Sequence, residues 1–245
     1  MKISIVTISY NQVDYLNRCL SSVTEQELPL GVELEYIVVD AGSSDGSREI
    51  ISKYESTIKV FEPDSGPADG LSKGLSRATG DVLGFINADD YLLPGALKRI
   101  SKEFYNSNVD VVSGCGYIER ESGERTLVKP TKFKEKLLKY RAGIIFQQGT
   151  FFTRSAYESS GGINRKNKTS WDFELFYNFS KLRLKHRLLL TDPVAVFYVH
   201  DESISGSQRF NDLNTEEIDS IASVFYKGFK YRYMSAFLKL VRRVV

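Results

Sequence analysis

Apolar side chains along the first hundred residues alternate between two patterns. Short runs at residues 3–8, 34–39, 58–61 and 82–86 are apolar at nearly every position, as in strands covered on both faces. Between them, apolar residues recur every three or four positions, as at Leu16, Cys19, Leu20 and Val23 or at Ala68, Leu71, Leu75 and Ala78. That spacing predicts helices over 15–23, 47–54, 68–78 and 96–104. Alternating strands and helices predict an α/β fold, a Rossmann-like, mainly parallel central sheet with helices on both faces.

The pattern changes after about residue 108. Residues 109–113, 117–119 and 126–128 predict shorter, partly antiparallel strands, with a turn at Ser122-Gly123. Helices are expected over 133–140 and 172–182, and strands over 149–153, 188–190 and 194–199. No internal repeat or low-complexity linker interrupts this order. The expected division is one domain over 1–208, with halves 1–106 and 107–208, and a helical tail over 209–245.

Composition narrows the class. With 42% hydrophobic and 26% charged residues, the chain resembles an ordinary globular protein with a substantial core. A net charge of +2 gives no argument for nucleic acid as a partner. The two cysteines, Cys19 and Cys115, have no metal-ligand spacing and point to a reduced compartment. No signal peptide is read at the start, and no run reaches the roughly 18 apolar residues of a membrane span. The expected location is the cytosol or the inner face of a membrane.

Chemistry concentrates at strand tips, where open α/β sheets bind ligands. The run 82–86 leads into Asn87-Ala88-Asp89-Asp90. Adjacent carboxylates repel, so a site that keeps both usually adds a cation; hard oxygen ligands suit magnesium or manganese bridging to a diphosphate. The competing reading is that they cap the next helix. Asp40 ends the second strand, before the small-residue loop 41–47. Its carboxylate can accept from a base N–H or a ribose hydroxyl, or can cap a tight turn; the spacing is not the dinucleotide G-x-G-x-x-G. Thr7, Ser9, Tyr10 and Asn11 end the first strand beside it.

The segments 4–11, 38–47 and 87–90, in this order and spacing, resemble glycosyltransferase family 2. The resemblance covers residues 1 to about 205 and implies a GT-A fold, with a nucleotide-sugar half, an acceptor half, and inversion at the anomeric carbon. It implies that Asp40 contacts uracil or ribose, and that Thr7, Ser9, Tyr10, Asn11, Asn87 and Ala88 line the nucleotide-sugar site. Asn87 and Asp89 match the two acids of the family's DxD signature. Asp89 is then the ligand of Mn2+ or Mg2+, while Asn87 departs from the usual Asp and brings no charge; Asp90 orients the loop. Asp172 becomes the candidate general base, against a plain helix-dipole role. Trp171 stacks on a sugar or belongs to the core. His200 resembles the His-x-x-x-Ser segment that can complete the metal shell, and suits manganese. Asp69 is a candidate to position the nucleotide, and Lys73 either offsets diphosphate charge or, as favoured, is simply solvated.

From Ser220 onward no acid occurs, while Lys227, Lys230, Arg232, Lys239, Arg242 and Arg243 flank Phe225, Phe229, Tyr233, Phe237 and Val241. That composition reads as an interfacial helix on anionic lipid, or as a helix packed on the domain. The expected activity is transfer of a sugar from a UDP-sugar to a glycan hydroxyl. The acceptor is expected on a polyprenyl diphosphate, in bacterial surface polysaccharide (O-antigen or capsule) assembly. The alternatives are a nucleotidyltransferase, which would ordinarily carry a Gly-rich basic loop after the first strand, and a non-catalytic nucleotide- or glycan-binding module.

Overall fold

The computed structural model describes residues 1–201, 203 and 211–222. Its main sheet begins with β1 (Lys2–Ser9), β2 (Glu33–Asp40), β3 (Thr57–Phe61) and β4 (Val82–Asn87), all parallel, with β1 between β4 and β2. The helices α1 (Val13–Thr24), α2 (Ser47–Lys53), α3 (Pro67–Arg77) and α4 (Ala96–Asn106) follow these strands in turn. Burial explains the sequence pattern. β1 and β4 are covered on both faces, so they read as continuous apolar runs, whereas α1 buries only Leu16, Cys19, Leu20 and Val23.

The helix α3 lies tight on the sheet because glycine faces it. A Cβ at Gly74 would sit 2.3 Å from Val6 Cγ1 and 3.0 Å from Val39 Cγ2, so any larger residue would push the helix off.

The main sheet continues past the expected boundary at 106/107. β6 (Val111–Gly114), β9 (Thr150–Thr153) and β10 (His186–Leu189) extend it beyond β4 in the order β10-β6-β9-β4-β1-β2-β3. Here β9 runs antiparallel between β4 and β6. A smaller sheet holds β5 (Tyr91–Leu92), β11 (Ala195–Val199), β7 (Gly116–Arg120) and β8 (Arg125–Val128) in that order. The two-residue β5 carries no periodic signal, which is why the pattern does not reveal it. The remaining helices are α5 (Glu135–Lys139), α6 (Arg154–Ser159), α7 (Trp171–Lys181) and α8 (Asn211–Ala222).

The expected tail boundary at 209 falls before α8, which packs on the domain. Ala222 is buried with Leu138 and Tyr177. The basic, aromatic segment from residue 223 onward lies outside the described residues. Among the described residues no helix is long and apolar enough to cross a membrane.

Candidate active site

The tips of β1 and β4, the start of α7 and the small sheet enclose a cavity of about 740 Å³. Its lining combines polar Ser9, Tyr10, Gln12, Asp64, Asn87 and Asp89 with apolar Ile118, Val128, Ile145, Phe146 and Phe197. Trp171 and Asp172 complete the wall.

The two adjacent acids have separate posts. Asp90 is fully buried. Its Oδ1 accepts from the Tyr198 amide at 2.9 Å, and its Oδ2 from Gln148 Nε2 at 2.9 Å and Asn87 Nδ2 at 3.4 Å. Burial, with the neighbouring Asp89 charge, pushes the Asp90 carboxyl well above its ordinary value despite these donors. Asp89 instead lines the cavity, and its Oδ2 lies 3.1 Å from Nε2 of the buried His200. Tyr15 packs on the His200 ring at 4.3 Å between centroids. Arg18 donates to the Asp89 carbonyl at 3.1 Å, its guanidinium 4.4 Å from the Tyr91 ring and 4.3 Å from that of Tyr198. Sequence reading missed Arg18 and Gln148; nothing in their local pattern separates them from ordinary polar residues.

These donors fit a hard divalent cation. Asp89 supplies a carboxylate oxygen and His200 an imidazole nitrogen, while the buried Asn87 Oδ1 and Ser9 Oγ have no hydrogen-bond partner among the described residues. Among the described residues no three His, Cys, Asp or Glu form a closed cage. Mn2+ and Mg2+ are commonly held in this way, by one or two side chains plus substrate phosphates and water.

The loop after β2 is held by its own carboxylate. Asp40 is fully buried; Oδ1 accepts from the Gly42 and Ser43 amides at 3.0 Å and Arg48 Nε at 2.7 Å, and Oδ2 from Ser43 Oγ at 2.5 Å. Burial raises the carboxyl, but Ser43 and Arg48 outweigh it and leave Asp40 below the usual carboxylate range. Asp40 itself does not line the cavity; Ala41 beside it does. Asn11, at a left-handed φ of 51°, joins the two strand-tip loops: its amide donates to Ser43 Oγ and its Oδ1 accepts from the Ser44 amide.

Three expectations are thereby corrected. Asp40 and Asn11 build the loop rather than present free polar atoms to the cavity. Thr7 does not line the cavity: it shares a face of β1 with Ser9 but sits one strand repeat back from the tip, where it is buried against Cys19 of α1. The Thr7 hydroxyl is buried 2.9 Å from Tyr36 Oη and near Cys19, whose thiol burial pushes up to about 12. Lys73 is not simply solvated: its Nζ donates to the Pro63 carbonyl at 2.5 Å and lies 3.5 Å from Asp69.

Asp69 anchors a strap, residues 164–170, that leads into α7. It accepts from the Ser65 amide at 2.9 Å and pairs with Arg165 at 2.5 Å, which overcome burial and pull its carboxyl down to about 2. Lys168 Nζ reaches the Ser65 carbonyl at 2.9 Å, and Asn164 and Asn167 donate to Glu174. The strap ends at Ser170, where α7 starts. Trp171 is both core and wall, packed in the cluster of Ala68, Leu71 and Ile163 while lining the cavity. Asp172 is half-buried and accepts from the Phe173 amide at 2.7 Å. Burial raises its carboxyl above the ordinary value, against that hydrogen bond.

The fold recurs in solved structures of nucleotide-sugar-binding proteins. Residues 1–349 of TarS from S. aureus, in complex with UDP-GlcNAc, match at a TM-score of 0.72 and 16% identity, over 99% of this chain and 72% of that one. The mannosyltransferase PcManGT from Pyrobaculum calidifontis, in complex with GDP-Man and Mn2+, matches at 0.67 and 18% identity, over 98% and 70%. This is the GT-A fold. Residues 4–161 match the family model for glycosyl transferase family 2, and the chain belongs to that family. An uncharacterized glycosyltransferase of Nostoc sp. is 33% identical over 61% of this chain and 47% of its own length. The chondroitin synthase of Pasteurella multocida is 27% identical over 89% of this chain and 25% of its own length. The chain thus spans less than half of either relative.

Proposed function

We propose that this chain is an inverting, metal-dependent glycosyltransferase that moves a sugar from a UDP-sugar to a hydroxyl of a glycan acceptor. The observation that supports the reading is that Asp89, backed by His200, and Asp172 line one and the same cavity. Asp89 and His200 would hold Mn2+ or Mg2+, with Asn87 Oδ1 free to accept from a ribose hydroxyl and Ser9 Oγ free to donate to the diphosphate. The ion supplies positive charge where the leaving diphosphate gains negative charge. The loop 41–44, held by Asp40, shapes the nucleoside end beside Tyr10.

Asp172, raised by burial, takes the proton of the acceptor hydroxyl. That oxygen then bonds to the anomeric carbon as the bond to the diphosphate oxygen breaks, which inverts the configuration. Trp171 offers an apolar face to the acceptor sugar. Membership of family 2 sets aside the nucleotidyltransferase alternative.

The proposed setting is bacterial surface-polysaccharide assembly on a polyprenyl-diphosphate carrier at the inner membrane face. A relative that is a chondroitin synthase and the basic, aromatic composition of 223–245 support it. Calorimetric titration with UDP and Mn2+, followed by donor hydrolysis across UDP- and GDP-sugars, tests the reading. We expect Mn2+-dependent UDP binding and turnover of a UDP-sugar. Binding with no turnover of any donor would make the chain a binding module instead.

A further inference from the structure

The helix α8 meets the start of α7 along one face. Asn214, Glu217, Ile218, Ile221 and Ala222 recur at helical spacing. Asn214 Nδ2 donates to Ser170 Oγ at 2.9 Å, while Ile221 and Ala222 pack around Leu138, Phe173 and Tyr177. At the centre of this face Glu217 takes hold of the strap. Its Oε1 accepts from the Lys168 amide at 2.8 Å. Its Oε2 accepts from the Thr169 amide at 2.8 Å, Thr169 Oγ1 at 2.6 Å and the Ser170 amide at 3.2 Å.

We propose that Glu217 is a positioning residue for Trp171 and Asp172. The proposal rests, for its catalytic consequence, on Asp172 being the base. A carboxylate is a strong acceptor, and here its two oxygens take four hydrogen bonds from three consecutive residues. Those residues immediately precede α7, so wherever Glu217 holds them, Trp171 and Asp172 follow. Among the described residues Asp172 has no side-chain partner: its bond is to the next amide in the chain. Its aim into the cavity therefore comes from the backbone behind it. Asn167 Oδ1 shares the Thr169 and Ser170 amides, but the Lys168 amide and the Thr169 hydroxyl bond to Glu217. Arg165 and Lys168 tie the other end of the strap to Asp69 and Ser65 on the donor side. A helix outside the family-matched residues 4–161 thus sets the geometry of the acceptor wall.

Trp171 is the one tryptophan of the chain, so its emission and its quenching by acrylamide report the position of this wall directly. Glu217→Ala and the isosteric Glu217→Gln are compared with the parent chain by that signal, by thermal unfolding, by UDP/Mn2+ titration and by donor turnover. We expect both variants to fold and to bind UDP as the parent does. Trp171 should become more accessible to acrylamide, and turnover should fall about tenfold or more at unchanged donor KM, less severely in Glu217→Gln. Unaltered quenching and turnover would overturn the proposal. So would parallel losses of unfolding temperature and UDP binding in both variants, since Glu217 would then only hold α8 in place. If the parent turned over no donor yet the quenching changed, the transferase reading would fail and the positioning of the wall would stand.

Discussion

His200 Nε2 lies 3.1 Å from Asp89 Oδ2, although 111 residues separate them in the chain. Asp89 follows a strand of the main sheet and His200 a strand of the small one, so this contact marks where the two sheets meet at the cavity. If the pair holds the cation, Asp89→Asn should lower donor turnover at least about 100-fold, and His200→Ala should weaken Mn2+ binding about tenfold or more. Titration of Mn2+ in the presence of UDP checks this. Parental Mn2+ affinity in both variants would remove the pair from the metal site.

Asp172→Asn should lower transfer at least about 100-fold while leaving UDP binding intact. The pH profile gives a second reading. A base works only when deprotonated, and burial lifts this carboxyl above its ordinary value. The acid limb of the rate should therefore lie above the ordinary carboxylate range, with activity falling as pH drops through it, and the variant should lack that limb. Equal loss of transfer and of UDP affinity would point to a folding role.

His186 offers a test of stability away from the cavity. Its Nδ1 accepts from the Phe133 amide at 3.2 Å, so Nε2 carries the proton and donates to Ser113 Oγ at 2.9 Å. Burial, helped by the Lys132 charge, lowers the imidazole to about 4 from an ordinary 6.5. The folded value lies below the unfolded one, so protonation favours unfolding. The contribution is complete above about pH 6.5 and is lost as pH falls from there through about 4, on the order of 3 kcal/mol in all. Urea unfolding at pH 7.5 and 4.5 should show this loss in the parent chain and a smaller one in His186→Leu. Equal pH slopes in the two would refute it.

The strand tips were legible because the signal there is local. Residues 82–90 pass from a doubly covered strand to paired acids, and 38–47 from strand to small-residue loop, within a single window each. The two acids show the limit of such a window. The strand pattern alone does not separate Asp89 from Asp90, and only the family resemblance assigns them different roles; in the fold one lines the cavity and the other is buried under Tyr198, Gln148 and Asn87. Asp40 looked free for a ligand, and only the folded loop shows its oxygens taken by Gly42, Ser43 and Arg48.

Sequence alone determined the order of strands and helices, their parallel arrangement up to residue 106, and the family resemblance with its acids at strand ends. Tertiary structure decided which of those acids share a cavity, that β9 runs antiparallel inside the main sheet, and that Glu217 grips the strap before Asp172. The division has a physical cause. Periodicity reflects which face of one element is buried, a property of neighbours in the chain. Contacts between residues separated by 48 or 111 positions depend on how whole elements pack, and no short stretch of chain encodes that.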